Sequence, residues 1–110
     1  MLIYKILRAA EWQALLAAGE TPGAPVDVAD GFVHFSTADQ VAETAARHFA
    51  GEGDLVLLAL DAAALGPALR WEPSRGGALF PHLYAPLRLA HVLWRWPLPW
   101  DGSLHRFPPL

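Results

Sequence analysis

Apolar and polar residues recur along this chain with two different periods, and the points where one gives way to the other predict its elements. Leu2 to Leu7 is apolar and β-prone apart from Lys5, a first strand. Ala9 to Ala18 sets Trp12, Leu15 and Leu16 at helical spacing and stops at Gly19, a natural helix end. Glu20 to Pro25, with Pro22, Gly23 and Pro25, reads as a loop, and Val26 to Gly31 leads from it to a strand over Phe32–Ser36. The next helix is predicted over Thr37–Ala50. Thr37-Ala38-Asp39-Gln40 matches a capping box, Val41, Ala45, His48 and Phe49 fall on one core stripe, and Gly51 and Gly53 end it.

Leu55 to Leu60 is an unbroken apolar run between Asp54 and Asp61, the length of a buried strand. Ala62 to Leu65 allows one helical turn, and Leu69 to Trp71 a short strand. Glu72 to Gly77 shows neither period and reads as a loop, followed at once by the aromatic run Phe80–Tyr84. Leu87 to Leu98 alternates, with Ala90, Val92, Trp94 and Trp96 on one face and Leu89, His91, Leu93 and Arg95 on the other, which predicts one long strand. Residues 1–98 then form a single α+β domain. Residues 99–110, with Trp100, Phe107, Pro108 and Pro109, form an apolar tail too broken by proline for a helix or central strand, packed on the domain or on a partner.

Composition narrows the class. With 110 residues, 54% of them hydrophobic and 17% charged, the chain has room for one core. Its net charge is −3 and its eight Lys and Arg residues are scattered, so nucleic acid is not an expected partner. The absence of cysteine removes disulfides and thiolate zinc sites and fits a reducing compartment. Neither a secretory pattern nor a stretch of about 18 apolar residues is present, so the expected location is the cytoplasm, away from membranes, as a monomer or weak homodimer.

Candidate chemistry begins on the strand Phe32–Ser36, where His34 and Ser36 project from one face beside a helix start. His34 is either a buried imidazole bonded to a backbone group or a ligand contact and acid–base group. Ser36 and Thr37 stand where a helix N-terminus offers free N–H groups to an anion, although Asp39 already fills the favourable electrostatic position, and Thr37 serves equally as a plain cap. Glu72 and Arg75 are either a surface ion pair or charges held against a ligand by a Gly- and Pro-rich loop. His82 and Tyr84, two apart among apolar neighbours, either line a pocket or sit in the core with their polar tips partnered. The spacing of His34, His48, His82, His91 and His105 supports no metal site, and neither a G-x-S-x-G nor a phosphate-loop pattern occurs.

Four segments in order, Ile3-Tyr4-Lys5-Ile6, Asp30 to Thr37, Leu69 to Arg75 and Phe80 to Tyr84, carry a resemblance. Over residues 2–98 the chain resembles a small bacterial family known as a domain of unknown function, DUF952. The resemblance implies a fold similar to the ADP-ribosyltransferases, a split mixed β-sheet with two main helices and NAD in a cleft between the half-sheets. It maps Tyr4 and Lys5 onto a first strand that in the transferases carries Arg or His, and Glu72 onto the late acid that polarises the ribose. Arg70 stands where the transferases have a second Gln or Glu.

Two functions follow as expectations. In the first, a nucleotide-like ligand, with NAD as the possible cofactor, lies in a cleft lined by His34, Ser36, Thr37, Glu72, Arg75, His82 and Tyr84. His34 and Glu72 are then the catalytic candidates of a possible ADP-ribosyltransferase-like enzyme, and Arg75 pairs pyrophosphate. In the second, the chain is a non-enzymatic sensor or interaction module that uses its tryptophan-rich C-terminal region.

Overall fold

The unbroken hydrophobicity of Leu55–Leu60 is explained by what covers it. A computed structural model describes residues 1–110. In chain order the elements are β1 (Leu2–Arg8), α1 (Ala9–Ala18), β2 (Glu20–Thr21), α2 (Pro25–Asp30), β3 (Val33–His34), α3 (Val41–His48), β4 (Leu55–Asp61), β5 (Leu69–Pro73), β6 (Leu79–Leu83), β7 (Leu87–Arg88) and β8 (Val92–Leu98). Short 3-10 turns occupy Ala62–Ala68, Arg75–Gly77 and Leu89–His91.

β4 is the middle strand of the main sheet, between β1 and β8. On one face Ile3 and Leu7 of β1 stand beside Leu58 and Leu60 and meet Trp12 and Leu15 of α1. On the other, Tyr4 and Ile6 join Leu55, Leu57 and Ala59 against Val41 and Ala45 of α3, with Phe107 of the tail packed alongside. Both faces of β4 are therefore dry, and an alternating strand would leave polar groups unpaired in one of the two cores. A second sheet has the order β3-β6-β5, and β2 pairs with β7. Every pairing is antiparallel, which corrects the expectation of a mixed sheet.

The predicted long strand Leu87–Leu98 is two strands. Leu87 and Arg88 pair with β2, and Leu89 N–H donates to Gly19 O, whereas Val92 to Leu98 pair with β4. The chain changes sheets, and the Leu89–His91 turn makes the change. A bulge opposite Ala59 and Leu60 also breaks the expected alternation, so Val92 packs on the first core and Trp94 on the second.

The helix predicted from Thr37 begins at Val41. Thr37 O accepts from both Gln40 N and Val41 N, which closes a turn, and Gln40 Oε1 accepts from Thr37 N. Half of the expected capping box is thus present, one turn before the regular helix. Val26–Gly31, read as a lead-in, instead belongs to α2 and its Gly31 cap. Glu72 and Pro73, read as loop, end β5, with Glu72 opposite Phe80.

Candidate functional site

Where β1 meets the second sheet, one pair of bonds joins them. Tyr4 N–H donates to Ser36 O and Ser36 N–H to Tyr4 O, at 2.8 and 2.9 Å. Beyond that bridge Lys5 and His34 reach not each other but a third residue, Asp27 of α2. Its Oδ2 accepts from Lys5 Nζ at 2.8 Å and Ala24 N at 2.7 Å, and its Oδ1 from His34 N at 3.0 Å and His34 Nδ1 at 2.6 Å. The Asp27 side chain is fully buried and every oxygen is partnered, so the carboxylate rivets the gap between the strands. Burial alone would push its carboxyl up, but the His34 ring and the Lys5 ammonium outweigh burial and hold it at about 2, below the ordinary 3.8. Burial pulls the Lys5 ammonium down from its usual value, with Asp27 opposing.

A second histidine stands directly across from the first. His82 of β6 is in register with His34 of β3, their ring centroids are 5.4 Å apart, and Phe32 stacks on His82 at 4.1 Å. His82 Nδ1 lies 2.8 Å from Glu72 Oε1, and the Tyr84 hydroxyl donates to the same oxygen at 2.7 Å. Tyr84 first, then His82, hold the Glu72 carboxyl below its usual range, and the same Glu72 contact raises the Tyr84 phenol. The Arg70 guanidinium lies over the Tyr84 ring at 4.7 Å.

Both histidines open on one cavity of about 560 Å³ between β1, α2, β3, α3, the Ser74–Arg75 turn and β6. Its lining holds Lys5, Arg8 and Arg75 with His34, His48 and His82, against a single carboxylate, Asp30. Lys5 is neutralised by Asp27, and Arg8 by a two-point pair with Glu52 at 2.8 and 3.1 Å. Arg75 is different: its guanidinium lies over Phe80, 3.4 Å from Thr44 Oγ1 and 3.8 Å from the exposed Glu43. It is the lining cation with most of its bonding capacity left. No group of three or more His, Asp or Glu side chains is arranged to hold a metal ion.

A family model described as "Protein of unknown function (DUF952)" matches residues 6–95. The chain belongs to the DUF952 family. It is similar to protein CC0527 from Caulobacter crescentus, whose crystal structure is 50% identical over 96% of this chain and 94% of that one, with a TM-score of 0.93. The solution NMR structure of CC0527 is 52% identical over 94% and 90% of the two chains, with a TM-score of 0.84. No curated protein matches the chain.

In this DUF952 chain His34, Ser36, Arg75 and His82 come together on the cavity wall. Thr37, Glu72 and Tyr84 stand outside the lining: Thr37 is tied into the turn before α3, and Glu72 and Tyr84 sit behind His82. His48, expected in the core, is exposed and lines the cavity. Asp27, Asp30 and Thr44 are the residues that sequence reading missed. A signal for Asp27 exists in Pro25 at the first helical position, Asp27 two later accepting from Ala24 N, and Gly31 as a left-handed stop with φ 85°. Gly23 completes the cradle: its φ is 104°, and a Cβ there would collide with the Asp27 carboxylate.

Proposed function

We propose that the cavity binds an anionic, nucleotide-like small molecule of the NAD or ADP-ribose kind, within a split sheet of the ADP-ribosylation type. The observation that carries this reading is the lining itself. A chain of net charge −3 gathers three cationic side chains and three histidines around one cleft, and leaves the Arg75 guanidinium with only a long contact of 3.8 Å to the exposed Glu43. An anion with oxygens in one plane, such as pyrophosphate, suits that fork. The Ser36 and Thr44 hydroxyls, bonded to each other at 2.9 Å, offer contacts to ribose, and Phe35, Phe49 and Phe80 offer apolar faces to a base.

Support for the split-sheet reading comes from the two three-stranded sheets that diverge from the single Tyr4–Ser36 bridge, with the cleft at the divergence. Transferase chemistry is not part of the proposal. Glu72, the residue the resemblance would make the late acid, is turned to His82 and Tyr84 and lies outside the cleft lining.

Thermal-shift and calorimetric titration with NAD, ADP-ribose, AMP and phosphorylated sugars tests the reading. At least one nucleotide is expected to raise the unfolding midpoint, since saturation at about 100 Kd stabilises by about 2.7 kcal/mol. Arg75→Gln is expected to weaken that ligand by about tenfold or more with the fold intact. Failure of every nucleotide to bind would sink it. A second reading, an interaction surface at the C-terminal region, draws on Leu93 and Trp96, 58% and 51% exposed on the edge strand β8. A concentration-independent monomeric mass for both wild type and Trp96→Ser would remove it.

A further inference from the structure

We infer that His34 and His82 form a general acid and general base for water attack on a cyclic phosphate diester of a mononucleotide. This rests on the anionic-ligand reading of the cleft and names a reaction for it. The two rings are cross-strand neighbours in register on β3 and β6, so they project from the same face of the sheet, with centroids 5.4 Å apart. Phe32 packs against both, at 4.5 Å from the His34 ring and 4.1 Å from the His82 ring.

Their partners divide the roles. Ionised carboxylates only accept hydrogen bonds, so Asp27 and Glu72 each fix an N–H on the Nδ1 that faces them. In its neutral form the His82 ring then carries a lone pair on Nε2, which takes no protein hydrogen bond, and His82 lines the cavity. His34 Nε2 differs, because Asp30 Oδ2 lies 3.0 Å away and asks for a donor there too. One ring thus brings an acceptor to the cleft and the other a proton, as an acid–base pair requires. Asp30 is half-exposed at the end of α2 and acts as a positioning residue that holds the proton-bearing nitrogen until a substrate oxygen replaces it.

The remaining lining selects the substrate. Ser36 and Thr44 bond each other with no base beside either hydroxyl, so water rather than a side chain is the nucleophile. Arg75 meets the phosphoryl oxygens as their charge grows. A cavity of about 560 Å³ suits a mononucleotide, and a cyclic ester on neighbouring ribose hydroxyls is the strained diester that acid and base alone can open. Water attacks phosphorus while its proton passes to His82 Nε2. The new P–O bond forms, the bond from phosphorus to one ribose oxygen breaks, and that oxygen takes the proton from His34 Nε2. The product is a ring-opened phosphate monoester, and solvent returns the proton from His82 to His34.

The test incubates the full chain with adenosine 2′,3′-cyclic phosphate in the presence of EDTA and follows monoester formation by phosphorus NMR. Calorimetry with adenosine 3′-monophosphate runs in parallel. Ring opening is expected, with His82→Asn and His34→Asn each slower by about 100-fold or more at saturating substrate. Glu72→Gln keeps the His82 ring but loosens its tautomer, and Asp30→Asn is half-exposed. Both keep the test decisive if a histidine variant does not fold, each expected to slow opening by about tenfold with unchanged circular dichroism. Binding of the monophosphate without ring opening overturns the acid–base pair and leaves the ligand reading standing, and opening that survives His82→Asn overturns the pair as well. Absence of both binding and opening overturns both.

Discussion

Asp27 with His34 and Glu72 with His82 are the same chemical pair built at two depths. In the first the carboxylate is sealed off and also holds Lys5 and two backbone N–H groups, while in the second the acid is partly in water and shares its oxygen with an exposed tyrosine. Each orients an imidazole toward the same cavity. What differs is the consequence of losing the acid. Removing a sealed carboxylate strands a buried ammonium, whereas removing a solvated one lets water take its place. One pair joins two sheets and orients a ring, and the other only orients a ring.

That contrast has graded consequences. Asp27→Asn keeps the shape but removes the counter-charge of Lys5, and urea unfolding is expected to show a loss of about 3–5 kcal/mol. A loss as small as that of a surface pair would erase the distinction. Next comes Gly23→Ala, which forces a side chain to φ 104° and against the Asp27 carboxylate. Its cost is expected at up to about 3 kcal/mol in the same measurement, with Gly31→Ala, open on all sides, costing less.

Acid sharpens the same point. The Asp27 carboxyl is held at about 2 in the folded chain against an ordinary 3.8, so the unfolded state takes the proton first. The stability it contributes, about 2 kcal/mol, is therefore complete above about pH 4 and is lost as pH falls through about 2. Unfolding free energy measured from pH 5 to 2 is expected to drop in wild type and to stay flatter in Asp27→Asn. Smallest is Glu72→Gln, whose wild-type carboxyl is also lowered but stands in water. Its unfolding midpoint is expected to match wild type, while the His82 ring protons shift in NMR spectra. A large fall in the midpoint would show that the two pairs are structurally alike.

Much of the scaffold was legible because it is written locally. β1 and β4 follow from apolar runs of strand length, and α1 from helical spacing ended by Gly19, whose φ is 80°. The gathering of His34, Ser36, Arg75 and His82 was legible in part, since aromatic and polar residues packed into apolar segments signal a site. Asp27 escaped because its helix has only six residues and too few for periodicity to speak. Glu72 was assigned to the cleft because a Gly- and Pro-rich segment and the resemblance both suggested a charge held against a ligand, and sequence does not show that the carboxylate turns to His82 instead.

By itself, then, the sequence determined the parts whose information lies within a few neighbouring residues: the apolar strands, the first helix with its glycine stop and the α+β class. Only tertiary structure decided where Leu87–Leu98 leaves one sheet for another, which acid meets which histidine, and that Lys5, isolated on an apolar strand, has its partner in Asp27, 22 residues away. The reason is physical. Periodicity reports which side of an element is dry, but a buried charge needs a particular partner, and that partner is set by how distant segments close on one another.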